Sequence, residues 1–229
     1  MKLLLFDVDL TLVNSGGAGR RAMMQAFQQL YGKSNGFENI SFAGRTDPAI
    51  FRDAVERLGL LWQQETEDAF KERYLEILKG EIEKPNSKKH IEPGVQAILP
   101  ELAQMKNVTL ALLTGNWYEG AHAKLEHFDL LRFFEFGAFA DDSWQRHELP
   151  AIAAKRYNEK TSKEISPADV FVIGDTPRDI ACAQPFGART IAVATGLFSH
   201  EELQAAGPDY LFHDFSKTTE LLAIFEAAQ

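Results

Sequence analysis

Two carboxylates stand at the end of the first apolar run of the chain. This run, residues 1–6, is followed directly by Asp7 and, two positions later, by Asp9. Residues spaced by two positions point to the same side of an extended chain, and α/β sheets bind ligands beyond the carboxyl ends of their strands. The two acids therefore outline a reactive site at the end of this run.

A second acidic pair follows another apolar run, which ends near residue 174. Asp175 and Asp179 are spaced by one helical turn, so their side chains face the same way if a helix begins there. Acids at strand ends also cap helices or face solvent, but two pairs at separate strand ends favour a Mg²⁺ site, because Mg²⁺ prefers oxygen ligands. Its predicted ligands are the Asp7 carboxylate, the main-chain carbonyl of Asp9 and Asp175, with Asp179 binding the metal or orienting its water.

These acids belong to a series of four short segments. In chain order the segments are Asp7-Val8-Asp9-Leu10-Thr11, Leu112-Leu113-Thr114-Gly115-Asn116, Arg146 or Lys155, and Ile173-Gly174-Asp175-Thr176-Pro177-Arg178-Asp179. In that order they resemble the four motifs of the haloacid dehalogenase-like hydrolases, most closely the phosphoglycolate phosphatase-like branch with a helical cap. The resemblance extends from residue 6 to about residue 212 and implies a Mg²⁺-dependent phosphatase that forms an aspartyl-phosphate.

The resemblance also implies distinct roles for the residues of the first segment. Asp7 is the nucleophile, and Asp9 is the general acid for the leaving group and then the general base for water. Thr11 would donate hydrogen bonds within the loop or to Asp9. Leu10 stands where the family pattern has glycine, which alters the expected backbone geometry but removes no reactive group.

The second and third segments are predicted to hold the phosphate. Thr114 follows an apolar run, and the Gly115-Asn116 step can turn main-chain N–H groups toward an anion as a helix begins. The third motif requires a lysine or arginine beside the nucleophile. Arg146 matches the start of the Lys-Pro pattern seen in related enzymes and is favoured over Lys155. A guanidinium would bind phosphate bidentately, so arginine in place of lysine is chemically tolerable.

The elements that must position these residues alternate between short apolar runs and longer amphipathic stretches. This alternation predicts an α/β fold, with a Rossmann-like parallel sheet and helices on both faces. The predicted strands are residues 2–6, 108–113, 137–139, 170–173 and 190–194.

Roughly 100 residues separate the first two predicted strands, far more than a crossover needs. This stretch has helical patterns at 20–31, 47–58 and 64–78 and no convincing strand, with Asp47-Pro48 predicted as N-cap and first-turn proline. We predict a helical cap domain at residues 15–92, called the insert below, and a hydrolase core domain at 1–14 and 93–229.

Within the insert, Arg45 lies in a loop between two helical patterns. The helical-cap branch has its substrate-specificity loop at this place, so the resemblance implies that Arg45 meets the non-phosphate end of the substrate. A carboxylate at that end of the substrate would suit Arg45, because a guanidinium can donate two parallel hydrogen bonds to it.

The composition limits the classes of partner. The 229 residues are 45% apolar and 25% charged, as in globular domains, and the net charge of −9 disfavours non-specific binding to nucleic acid or anionic membranes. The single cysteine, Cys182, excludes an intrachain disulfide, and we expect neither a signal peptide nor a membrane-spanning run. We expect a cytoplasmic monomer or homodimer that acts on a small phosphorylated metabolite.

Several functions share this set of residues. A phosphatase of small phosphomonoesters, with phosphoglycolate as the first substrate to try, is the leading hypothesis. A phosphomutase of the β-phosphoglucomutase type uses the same nucleophile, acid/base and metal, and a non-catalytic phospho-acceptor or binding protein would share the acids. Asp9 together with Asp175 and Asp179 argues against the dehalogenase branch, and Asp9 also argues against the phosphonatase branch.

Overall fold

A computed structural model of the protein describes residues 1–33 and 35–226. Its strands are β1 (Lys2–Phe6), β2 (Val13–Ser15), β3 (Lys89–Ile91), β4 (Val108–Leu113), β5 (Gly137–Ala138), β6 (Val170–Gly174), β7 (Arg189–Val193) and β8 (Tyr210–Phe212). Its α-helices are α1 (Ala18–Tyr31), α2 (Asp47–Arg57), α3 (Gln64–Glu83), α4 (Val95–Gln104), α5 (Tyr118–His127), α6 (Leu149–Thr161), α7 (Pro177–Ala183), α8 (His200–Ala205) and α9 (Thr218–Glu226).

Six strands form one parallel sheet in the order β5-β4-β1-β6-β7-β8. The register pairs Phe6 with Leu112 on one side and with Ile173 on the other. Strands β4, β1 and β6 therefore end side by side, which brings the first, second and fourth segments to one edge of the sheet.

Alternation along β1 explains the two buried faces of this sheet. Leu4 and Phe6 pack with apolar residues of α4, α5 and α9, whereas Leu3 and Leu5 pack with residues of α6 and α7. Because both faces are covered by helices, the strands are almost continuously apolar, as in other parallel sheets. The predicted Rossmann-like α/β fold is confirmed.

The insert carries helices α1, α2 and α3, which pack around their own cluster of aromatic side chains, among them Phe27, Phe51 and Phe70. The antiparallel pair β2-β3 brings the chain out of the sheet and back. The predicted N-cap of α2 was wrong: Thr46 is the N-cap and accepts a hydrogen bond from Ala49 N–H. The division into domains at residues 15 and 92 stays a prediction.

The strands that the sequence analysis did not predict are short, and helix α3 extends five residues beyond its predicted end at residue 78. The β2-β3 pair and β8 have three residues each. A run of three residues is too short to show an alternating pattern, so its pairing depends on contacts distant in sequence. Among the described residues, no helix combines the length and apolar content that a membrane span requires.

Candidate active site

Three buried carboxylates converge at the carboxyl edge of the sheet. Asp7 follows β1, Asp175 follows β6, and Asp179 lies in the first turn of α7. One oxygen from each lies within 4.8 Å of the others, and no member of the group is more than 5% exposed. Such a set of oxygen donors is suited to a hard divalent cation.

The nearby Arg146 guanidinium only partly offsets the negative charges of these three carboxylates. Burial raises the pKa of Asp7 from 3.8 to about 6; the Arg146 guanidinium opposes this rise, and Asp179 and Asp9 add to it. Burial also raises the pKa of Asp175 well above its ordinary value, with Asp179 and Asp7 acting in the same direction. A bound cation would favour the ionised forms, so these residues fit the metal that the resemblance implies.

Arg146 is the cation that the fold brings to Asp7. Its buried Nη2 lies 3.3 Å from Asp7 Oδ1 and also pairs with Asp179 Oδ1. The other candidate for the third motif, Lys155, is 78% exposed and pairs with Glu159. The geometry therefore favours Arg146 over Lys155 as the residue that contacts Asp7.

Asp179 also fixes the start of α7. Its Oδ2 accepts hydrogen bonds from Thr176 N–H (2.9 Å) and Thr176 Oγ1 (2.7 Å). Because both carboxylate oxygens of Asp179 already have protein partners, orientation of the site suits this residue better than direct metal binding. Thr11 donates to Asp175 Oδ1 at 3.0 Å, whereas the predicted acceptors were within its own loop or on Asp9.

The second segment holds the Asp9 carboxylate by a hydrogen bond from Asn116. Asn116 Nδ2 donates to Asp9 Oδ2 at 2.9 Å and to Thr114 Oγ1 at 2.8 Å. The N–H of Asn116 donates to Thr114 Oγ1 at 3.2 Å, so it does not point toward a phosphate as expected. Because Thr114 Oγ1 accepts both bonds, its own hydroxyl proton is available to a ligand.

Lys124 is a site residue that sequence reasoning missed. It lies in α5, is 3% exposed, and donates from Nζ to Asp9 Oδ2 and to Asn116 Oδ1. Nothing in the local sequence separates it from a solvated helix lysine, because its partner lies more than a hundred positions earlier in the chain.

Leu10 adopts a backbone conformation that favours glycine, the residue that the family pattern has at this position. Its φ is +61°, in the left-handed region. The turn is held by Leu10 N–H donating to Val13 O (2.8 Å) and by Thr195 Oγ1 donating to Leu10 O (2.5 Å). A side chain in this region costs roughly 1–2 kcal/mol, so the loop keeps its geometry at the expense of stability.

We expect Leu10→Gly to leave kcat within about threefold of wild type and the free energy of unfolding within about 1 kcal/mol, since relief of strain offsets glycine's backbone entropy. Leu10→Ala is the matched control, because it removes the side chain but keeps the strain. Urea unfolding should find it less stable than Leu10→Gly by about 1 kcal/mol. The opposite order would show that the Leu10 backbone is unstrained.

A cavity of about 540 Å³ lies between the carboxyl edge of the sheet and the insert. It is lined by Asp7, Asp9 and Arg146 on one side and by Arg20, Arg45 and Tyr74 on the other. Arg45 is not free in this structure: Nη1 donates to Asp53 Oδ2 at 2.5 Å and Nη2 to Ala49 O at 3.2 Å. A ligand group at this position would compete with Asp53.

The insert is docked on the second segment. Asp47 N–H donates to Gly115 O at 2.6 Å, and the Asp47 carboxylate accepts from Trp117 N–H at 3.0 Å. A Cβ on Gly115 would overlap the carbonyl oxygen of Arg45. Gly115 is therefore needed for this close approach, a role that the sequence did not reveal.

Comparison with known proteins agrees with the fold. The chain belongs to the haloacid dehalogenase-like hydrolases, whose family profile matches residues 4–193. A phosphoglycolate phosphatase from Vibrio parahaemolyticus is 23% identical over 226 residues, which is 98% of this chain and 97% of that protein.

Two solved structures extend the comparison to the fold. A protein from Haemophilus somnus, assigned as a phosphoglycolate phosphatase, has a TM-score of 0.72 at 18% identity, covering 97% of this chain and 98% of its own. A protein from Bacteroides vulgatus, assigned as a β-phosphoglucomutase, has a TM-score of 0.70 at 20% identity, covering 100% of this chain and 90% of its own. Likeness at this identity concerns the fold alone.

Proposed function

We propose that this protein is a Mg²⁺-dependent phosphatase that hydrolyses a small, phosphoglycolate-like phosphomonoester through an aspartyl-phosphate. The observation that carries the proposal is the placement of Asp7, a buried carboxylate beside two other acids and Arg146, at the base of a cavity of small-metabolite size. The phosphoglycolate phosphatase among the relatives supports the substrate class.

In the first step, a carboxylate oxygen of Asp7 attacks the phosphorus atom. A new P–O bond forms while the bond to the leaving-group oxygen breaks, and Asp9 passes a proton to that oxygen. Arg146, which stands beside Asp7, binds the phosphoryl oxygens with its charge. The Thr114 hydroxyl and the main chain of Gly115 complete the proposed phosphate site, whereas the Asn116 N–H is turned to Thr114.

In the second step, water attacks the phosphorus of the aspartyl-phosphate. Asp9 now takes a proton from the water, the bond between phosphorus and Asp7 breaks, and inorganic phosphate leaves. Docking of the insert over the strand ends excludes bulk water from the acyl-phosphate. Each carboxyl group returns to its starting protonation state.

The metal site is proposed at the Asp7 carboxylate, the Asp9 carbonyl and the Asp175 carboxylate, with Asp179 orienting it. When bound, Mg²⁺ would neutralise the negative charge of the nucleophile and the phosphoryl group. Arg45 is proposed to meet a carboxylate at the far end of the substrate, in competition with Asp53.

Metal binding should have a pH-dependent effect on stability. Because the pKa of Asp7 is higher in the folded chain, the folded state binds more protons at this group. The contribution of Asp7 to the stability of the metal-free protein should therefore fall as pH rises from 3.8 to about 6. Mg²⁺ at about 100 times its Kd should add about 2.7 kcal/mol, a rise in Tm of roughly 5–10 °C.

Thermal unfolding with Mg²⁺ or chelator at about pH 8 and about pH 5 measures this, and the Mg²⁺-dependent rise in Tm should be smaller at the lower pH because protons compete with the metal. Asp175→Asn should remove most of the rise. Equal Tm values with Mg²⁺ and chelator at about pH 8 would argue against a metal at these carboxylates.

A panel of phosphorylated metabolites with Mg²⁺ tests the proposed function. Release of inorganic phosphate from phosphoglycolate and similar small esters is the expected result.

The β-phosphoglucomutase-like fold of the Bacteroides vulgatus protein keeps a mutase as the second candidate. Transfer of the phosphoryl group between two hydroxyls of a sugar phosphate, without phosphate release, would support the mutase. Stable phosphorylation without turnover would support a phospho-acceptor.

A further inference from the structure

The ammonium group of Lys124 is buried beside the Asp9 carboxylate. Lys124 is 3% exposed. Among the residues that the structure describes, its Nζ forms an ion pair with the Asp9 carboxylate. Burial of a lysine is costly unless its charge is paired and its N–H groups have acceptors. Asp9 Oδ2 and Asn116 Oδ1 meet both needs. The pair lies in the wall of the cavity, where the proposed chemistry takes place.

The two oxygens of Asp9 are in different surroundings. Oδ2 accepts from Lys124 Nζ and from Asn116 Nδ2, which lies 2.9 Å away. Oδ1 has no hydrogen-bond donor among residues 1–33 and 35–226, and the side chain is 38% exposed. Asn116 is itself fixed by its bond to Thr114. The carboxylate is therefore held by one oxygen while the other is open to the cavity.

We propose that Lys124 is a positioning residue that turns Oδ1 of Asp9 toward the leaving-group oxygen. The inference rests on the proposed function, in which Asp9 exchanges a proton with the leaving group and then with water. Because Oδ2 is directed to two donors, Oδ1 is the oxygen that carries the transferred proton. General acid–base catalysis requires the acid within hydrogen-bond reach, so a rotated carboxylate loses most of its effect.

This role differs from two simpler ones. If Lys124 served only to stabilise the fold, its loss would lower turnover of every substrate alike. If its ammonium group bound the substrate, its loss would raise KM and would not depend on Asp9. Acting through Asp9, Lys124 should matter only for leaving groups that need a proton, and only while the Asp9 carboxyl group is present.

The test compares Lys124→Met with wild type on an alkyl phosphate and on p-nitrophenyl phosphate, whose leaving group needs little protonation. We expect kcat to fall roughly 10- to 100-fold for the alkyl ester and less than about threefold for the aryl ester, with KM nearly unchanged. Lys2→Met is the matched control, because it breaks the Lys2–Asp169 ion pair at the opposite edge of the sheet. Its kcat should match wild type on both substrates.

A double-mutant cycle then separates positioning from structure. In an Asp9→Asn background, Lys124→Met should cost less than about twofold further with the alkyl ester. Lys124→Gln, a second neutral variant, provides the same comparison if the methionine variant does not fold. Equal losses on both esters, a large rise in KM, or an undiminished loss in the Asp9→Asn background would each overturn the inference. Inactivity of wild type on both esters would instead show that the proposed function itself has failed.

Discussion

Replacing Asp7 by asparagine is expected to lower kcat by at least about a thousandfold while changing substrate affinity much less. The amide has the shape of the carboxylate but not its attacking oxyanion. The same change removes one of three crowded negative charges, so metal-free Asp7→Asn should be at least as stable as wild type at neutral pH. Steady-state kinetics with Mg²⁺ and thermal unfolding in chelator measure the two effects.

Asp169→Asn is a suitable control for this experiment. Asp169 pairs with Lys2 at the amino-terminal end of the sheet, far from the strand ends that hold the candidate site. Its kcat should remain within about twofold of wild type, because a partly exposed ion pair contributes little beyond local stability. Turnover by Asp7→Asn close to the wild-type rate would exclude Asp7 as the nucleophile.

Replacing Asp9 by asparagine should give the second large effect, a loss of roughly 100- to 10,000-fold in kcat for alkyl phosphates. Asparagine keeps the hydrogen-bond acceptor that faces Lys124 but has no proton to give to the leaving group. The loss should be much smaller for p-nitrophenyl phosphate, whose leaving group departs without a proton. Rates of both esters under single turnover, with wild type alongside, measure the difference.

A loss of the same size for both esters would remove the general-acid role. In that case Asp9 would serve through its main-chain carbonyl or through the shape of the loop. The partial exposure of Asp9, in contrast to the burial of Asp7, is consistent with separate tasks for the two carboxyl groups.

The parts of the fold that could be predicted are those with strong local patterns. Strands β1 and β4 were predicted at the residues where they occur, since each is an apolar run that stops at a polar segment. The long gap between them indicated an insert. Strand β8 and the β2-β3 pair were not predicted, because strands of three residues are specified by their partners and not by their own sequence.

In the candidate site, too, some residues have a local sequence signal, whereas the position of others depends on contacts with residues distant in sequence. The spacing of Asp7 and Asp9 made them candidates directly, and the motif resemblance favoured Arg146 over Lys155. The contact between Arg146 and Asp7 depends on the geometry of the chain before α6. Lys124 was missed because its burial depends on the packing of α5 against the first segment. The roles assigned to all these residues stay predictions until they are tested.

Trapping of the covalent intermediate tests the central claim most directly. The enzyme would be mixed with ³²P-labelled substrate and Mg²⁺, quenched in acid within one turnover, and digested with trypsin. The proposed mechanism predicts label on the peptide of residues 3–20, released by hydroxylamine as expected for an acyl-phosphate and absent from Asp7→Asn. Full turnover with no label on this peptide, or label on another residue, would contradict Asp7 as the nucleophile.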